Sequence, residues 1–266
     1  MTSAVLTAQP ASLSFGSKTS LYVKEAKYEF LKLMRTKAFS LSVIGFPVMF
    51  YLLFGVSNGH TAPGGFNYAK YLLAGYSCFG LIGASLFGIG VGLAAERAHG
   101  WLELKQASPM PPPAYLFAKI LTAIAFSLII TAILLTLGVT LAGVHISAGE
   151  VVRLLGITVA GAVPFATMGL FLALVVPANA APGIVNLIYL PMSFASGLWM
   201  PIEVLPHWLR AIAPFLPTYH FAQLALHVVG YAQPGSMLPH WEAMAGFTCI
   251  LMGLSWVAFS RAQARA

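Results

Sequence analysis

Six stretches of this chain, 38–56, 68–95, 115–142, 154–176, 183–200 and 243–260, each carry at most one charged side chain. At ~1.5 Å of rise per residue, ~20 apolar residues wound as a helix reach across the ~30 Å hydrocarbon core of a bilayer. Helices are the expected form, because lipid offers backbone N–H and C=O groups no partners and a helix pairs its own. Composition agrees, since 59% of the 266 residues are hydrophobic and only 8% are charged, which excludes an ordinary soluble domain. The expected fold is an all-α integral membrane protein with six transmembrane helices.

The charges set an orientation. All seven acidic residues are glutamates, against fourteen Lys and Arg, for a net charge of +7. In so apolar a chain the excess is read as topology and not as nucleic-acid binding. Six Lys or Arg precede the first stretch; Arg97, Lys105 and Lys119 lie between or at the edges of the second and third; Arg261 and Arg265 follow the last. Only Lys70, Arg153 and Arg210 fall on the other side. The positive-inside rule then puts both termini in the cytoplasm, in a multi-pass protein of a bacterial plasma (inner) membrane. Residues 1–20 lack the basic start and apolar centre of a signal peptide and are expected to be a disordered cytoplasmic tail. Cys78 and Cys249 both lie in apolar stretches, so neither a disulfide framework nor a zinc site is expected.

Three further segments break the pattern. Over 21–37, Val23, Ala26, Phe30, Leu33 and Met34 share a helical face opposite Lys24, Glu25, Glu29, Lys32 and Arg35, the pattern of a helix lying on the membrane surface. Over 96–113, Glu96, His99, Glu103 and Gln106 line one side of a short helix, with Trp101 and Leu104 on the other, and Pro109, Pro111, Pro112 and Pro113 end it. Over 201–228, Pro201, Pro206, Pro214 and Pro217 cut an apolar segment into pieces of about ten residues, too short to cross, which predicts a re-entrant hairpin. Trp199, Trp208 and Tyr219 are expected at the membrane interface.

The wording of these segments is more specific than their charge. Glu96-Arg97, Gly100, Leu102-Glu103, Ser108-Pro109 and Lys119, with Ser196-Gly197, Pro201, Glu203, Leu205-Pro206, Trp208-Leu209 and Leu216-Pro217, resemble the ABC-2 type transporter permeases. The chain departs from the family pattern at Ala98, Trp101, Lys105 and Gln106. The resemblance covers nearly everything after about Leu21, a transmembrane domain over 38–266. It implies that 21–37 is a connecting helix touching an ATPase, with Lys24, Phe30, Lys32 and Arg35 on it. It also implies that Glu96, Arg97, Gly100, Trp101, Glu103 and Leu104 form a cytoplasmic coupling helix docked on that ATPase. The hairpin, with Gly197, Pro201, Glu203, Pro206, Trp208, Pro214 and Pro217, would be an outer lid in which Glu203 holds the lid or meets substrate. The implied partners are two ATP-binding cassette subunits, which carry the ATP and Mg, and a second permease chain, identical or different.

The residues agree that chemistry lies elsewhere. Gly16-Ser17-Lys18-Thr19 echoes the end of a phosphate loop but lacks the earlier glycine, and the chain has no Asp to hold Mg²⁺. No catalytic, metal or cofactor residue is expected. Gly83 to Phe87 is similar to the serine motif of six-span intramembrane proteases, but Ser85 needs a base and no stretch contains a histidine. A secondary transporter would place charges inside the bundle, whereas every Glu maps to a loop or a stretch edge. The expected function is the permease subunit of an ATP-driven exporter of an amphiphilic substrate, a drug, lipid or glycolipid-like molecule. A protease and a secondary transporter are the alternatives.

Overall fold

In the computed structural model, residues 15–59, 65–101 and 112–263 are described, and no strand occurs among them. Helix α1 (Phe15–Arg35) begins inside the stretch expected to be a tail. Helices α2 (Lys37–Asn58) and α3 (Tyr68–Ala98) follow. Then come α4 (Pro112–Thr140) and α5 (Ala148–Val175), and a shorter apolar helix, α6 (Ala181–Ala195). The hairpin region holds α7 (His207–Ile212) and α8 (Pro217–Val229), and α9 (Leu238–Gln263) closes the chain. Five of these, α2, α3, α4, α5 and α9, are long and apolar enough to cross a membrane. The stretch expected to cross at 183–200 forms only the 15 residues of α6, or ~22 Å, short of the ~30 Å core.

Helix α3 is the axis of the bundle. Of its most apolar window 78% is buried, against 22% for α2 and 11% for α9, whose Ile250, Met252, Leu254 and Trp256 face outward. Small residues make this enclosure possible. A Cβ on Gly80 would meet Ile130 of α4 at 2.8 Å, and one on Gly83 would meet the Tyr189 hydroxyl of α6 at 2.9 Å. Lipid supplies no hydrophobic push between helices, so close packing of this kind carries their association. Helix α3 is not regular throughout: its ladder widens into a π turn at Leu86–Val91, and α2 does the same at Tyr51–Gly55.

Beyond α6 the chain turns on Gly197, whose φ of +78° is open to glycine at little cost. Pro206 precedes α7 and Pro217 opens α8 at the first-turn position, where a missing N–H costs nothing. Ser196 and Thr218 hydrogen-bond each other across the base of the hairpin, and Thr218 also donates to the Met192 carbonyl at 3.1 Å. The depth of the hairpin follows from its contacts with α3. The Phe221 carbonyl lies 4.0 Å from Cys78 Sγ, about ten residues or ~15 Å into α3. After α8 the chain has returned to the start of α3, where the Asn67 N–H donates to the Tyr231 hydroxyl at 2.9 Å. The segment from Pro201 thus packs alongside α3 and comes back to its start, and α8 runs to 13 residues, longer than the pieces of about ten that the prolines led one to expect. The Trp199 ring packs on Phe50 and Phe79 at centroid distances of 4.6 and 5.4 Å. Trp208 is exposed, as expected of an interfacial residue.

Candidate functional site

At the end of the bundle where α1 lies, four charged side chains from three elements converge. Glu29 and Lys32 sit one turn apart on α1, Glu96 ends α3, and Lys119 lies in the second turn of α4. Lys119 Nζ is 2.6 Å from Glu29 Oε1 and 3.3 Å from Glu96 Oε2, and Lys32 Nζ is 3.0 Å from Glu29 Oε2 and pairs with Glu96. Two acids and two bases cancel. Glu29, Glu96 and Lys119 are 4%, 7% and 2% exposed, so the cancellation takes place out of water. Burial by itself raises a carboxyl pKa, but Lys119 first and then Lys32 overcome it and hold Glu29 below its ordinary value.

The local reason is the packing of α1 along α4. Phe30 meets Phe126 at 5.4 Å and Tyr22 meets Phe117 at 5.7 Å between ring centroids. The face carrying Phe30 and Leu33 is thus used against protein, and Glu29, next to it, is carried inward while Val23 is 63% exposed. This corrects the expected division of α1, which put Glu29 on the polar side and Val23 on the apolar one. It also corrects the expectation that no charge is buried in the bundle. The argument against a secondary transporter therefore loses that premise.

The 96–113 segment is likewise only partly as expected. Glu96 and Arg97 belong to the last turn of α3, which stops at Gly100, a left-handed position with φ +72°. Glu96, expected on an exposed face beside Glu103, points into the ion cluster. Arg97 reaches sideways to the end of α5, donating to the carbonyls of Leu174 at 2.5 Å and Val176 at 3.1 Å. A cation there satisfies carbonyls left without helical partners and meets the negative end of the helix dipole. Trp101 projects beyond the turn and is 54% exposed. Glu103 and Leu104 lie outside the described residues. On α1, Lys24 and Arg35 are exposed, while Lys32 belongs to the cluster.

Arg97→Ala should lower the stability of the purified protein by about 2 kcal/mol, the scale of charge-assisted bonds to carbonyls left otherwise unpaired. Arg97→Lys should recover only part of it, since a point charge cannot fork to two carbonyls. Thermal unfolding in detergent checks this, and equal melting of Arg97→Ala and the exposed-site control Arg35→Ala would refute the capping role.

Ser85 is buried with no hydrogen-bond partner among the described residues, which is not the setting of an activated nucleophile. No group of three or more His, Cys, Asp or Glu able to hold a metal ion occurs among the described residues. At the hairpin end Lys70 Nζ pairs with Glu150 Oε1 at 2.7 Å, and Glu150 also closes a capping box with Ser147 at the start of α5.

Comparison with known proteins bears on this arrangement. Residues 24–229 match the model of the ABC-2 type transporter family, a span that includes α1, the ion cluster and the hairpin. The chain is similar to "Putative transport permease YvfS" of Bacillus subtilis (strain 168), at 26% identity over 211 residues, covering 79% of this chain and 86% of the other.

Proposed function

The chain belongs to the ABC-2 type transporter family, and from that premise we propose that it is the permease subunit of an ATP-driven exporter, energised by separate ATP-binding cassette subunits. Family members are membrane transport subunits that generally work with an ATP-binding subunit. The observation that best supports the proposal is the ion cluster. It joins the N-terminal helix, the end of the buried axis α3 and the start of α4 at one end of the bundle. Force applied to α1 or to the turn after α3 would be delivered to the axis through a neutral, buried contact and not through solvated side chains.

In this reading α6 with the turn after it counts as the fifth of six crossings. The α1 end, rich in Lys and Arg, then faces the cytoplasm of a bacterial cell, and the hairpin faces outward. Two such permease chains, identical or different, work with two ATP-binding subunits that hold ATP and Mg. The substrate is an amphiphile, a drug, lipid or glycolipid-like molecule, because the enclosing helices offer apolar and aromatic surface with little fixed charge.

Trp101 is an exposed aromatic on the docking side of this reading, and aromatics of this size, once buried, often dominate an interface. Trp101→Ala should weaken binding of the ATP-binding subunit to the nanodisc-embedded permease by about tenfold or more, with the melting temperature of the permease unchanged. Unaltered affinity would remove Trp101 from the interface. The wider reading would be overturned if ATP hydrolysis by the co-purified subunit were indifferent to the presence of the permease.

A further inference from the structure

A cavity of about 510 Å³ opens at the hairpin end, between the start of α3, the chain after Pro201, and α8 with the loop that follows it. Its volume is that of a small-ligand site. One wall is aromatic: Phe66 meets Tyr231 at 4.8 Å and Tyr71 at 5.8 Å, and Tyr71 meets Tyr231 at 6.3 Å between centroids. Glu203 also lines the cavity, with Gln223 and Gln233 completing the polar lining.

Several polar groups of this cavity bond to one another or to nearby main chain. The Tyr71 hydroxyl is shared between the carbonyls of Gly197 and Met200. The Tyr231 hydroxyl accepts from the Asn67 N–H. Gln223 Oε1 accepts from the Gln233 N–H at 2.7 Å, and the Gln233 side-chain amide donates to Glu203. An amide donor fixes the position of a carboxylate without neutralising it. No Lys or Arg lines the cavity, and Lys70, on α3 nearby, is paired with Glu150. Among the described lining residues Glu203 carries the one charge, exposed and without an ion pair, in a cavity that also holds aromatic rings whose quadrupoles favour a cation.

We propose that this cavity binds the ammonium group of an organic cation, with Glu203 as counter-ion and Phe66 and Tyr231 as the ring surface it rests on. The inference rests on the exporter reading in that it names a substrate class for the outward end of the molecule. A hard metal ion is disfavoured because the lining supplies one carboxylate, where such ions draw on several oxygen ligands. A neutral sugar would use the rings but leave the carboxylate without a counter-charge.

The test uses the permease with its ATP-binding subunit in nanodiscs, and two probes of nearly one shape: choline and its uncharged carbon analogue 3,3-dimethylbutan-1-ol. Affinities are read by saturation-transfer NMR. Choline should bind at least tenfold more tightly than the alcohol. Glu203→Gln, which keeps the shape and the contact with Gln233, and Tyr231→Leu should each weaken choline binding about fivefold or more while leaving the alcohol unchanged. Equal affinity of the two probes, or choline binding untouched by Glu203→Gln, would overturn the proposal. With choline binding in hand, displacement by hexadecyltrimethylammonium doped into the nanodisc assigns a membrane-borne cation, and failure to displace assigns a water-borne one. Coupled ATP hydrolysis is measured on the same samples. A complex that hydrolyses ATP in response to the permease yet ignores choline would sink this inference and leave the exporter reading standing.

Discussion

Lys119→Met should unfold this protein more readily than any other single substitution in the bundle. The change removes the cation that pairs with Glu29 at 2.6 Å and Glu96 at 3.3 Å, leaving two buried carboxylates to share Lys32. Breaking one partner out of a buried pair costs about 3–5 kcal/mol, because the survivor stays desolvated with its charge unanswered. Replacing the whole set is a different matter. In Glu29→Gln/Glu96→Gln/Lys119→Met, no buried charge remains, and Lys32, already half in water, can carry its ammonium outward on its flexible stem. The triple variant should thus recover most of the stability that the single one loses. Thermal unfolding of all combinations in detergent gives the coupling energies directly. A Lys119–Glu29 coupling near zero would show the cluster to be geometrically present and energetically idle. If the cluster is what ties α1 to α3, the triple variant should be well folded and poorly coupled to ATP hydrolysis.

Gly75→Ala should be the second large effect, and it arises from backbone alone. A Cβ at this position would lie 2.2 Å from the Leu198 carbonyl oxygen and 3.1 Å from its carbon, which belong to the main chain entering the hairpin. No rotamer change can relieve such a clash, so either α3 or the hairpin has to move by more than an ångström. Overpacking typically costs 1–3 kcal/mol, and this site should fall at about the upper end. Gly156→Ala on α5 is the matched control, since a Cβ there meets nothing within 4 Å and the change gains helix propensity of about 1 kcal/mol. Melting temperatures that fall for the first and hold or rise for the second are the expected pair. Indistinguishable melting of the two would mean that the approach of Leu198 to α3 is not part of the folded state.

What could be read from the sequence was whatever depends on neighbours along the chain. Uncharged runs marked the five long helices, and closely spaced prolines marked where the chain breaks into short pieces between Pro201 and Pro217. What escaped depends on partners far away in sequence. Glu29 and Lys119 are 90 residues apart, and an amphipathic pattern treats every charge as facing water. Two signals were nevertheless present. Lys119 stands alone in an otherwise uncharged run, and a lone charge at such depth needs a partner. Glu29 and Lys32 flank Phe30 and Leu33 at a spacing that permits one pair to travel inward with the apolar face. The partners of Arg97 escaped for a similar reason, since the carbonyls of Leu174 and Val176 lie 77 and 79 residues further along the chain. Trp199 could not be placed, because only the three-dimensional path shows that the chain before Pro201 lies against α3.

The π turn at Leu86–Val91 has a consequence for all of this. A widened turn accommodates a residue beyond the ordinary ladder, and each residue of an α-helix turns the chain by ~100°. The last turn of α3 is therefore rotated relative to the five before the π turn, like a key cut on a different flank from its shank. Glycine-lined packing requires one phase over Gly75, Gly80 and Gly83, while the carboxylate of Glu96 and the guanidinium of Arg97 require another. The turn lets one continuous rod satisfy both. It also means that length matters in this short interval in a way it does not in a loop: one residue fewer between 86 and 91 would preserve every hydrophobic contact above it, yet aim Glu96 roughly a quarter-turn away from Lys119.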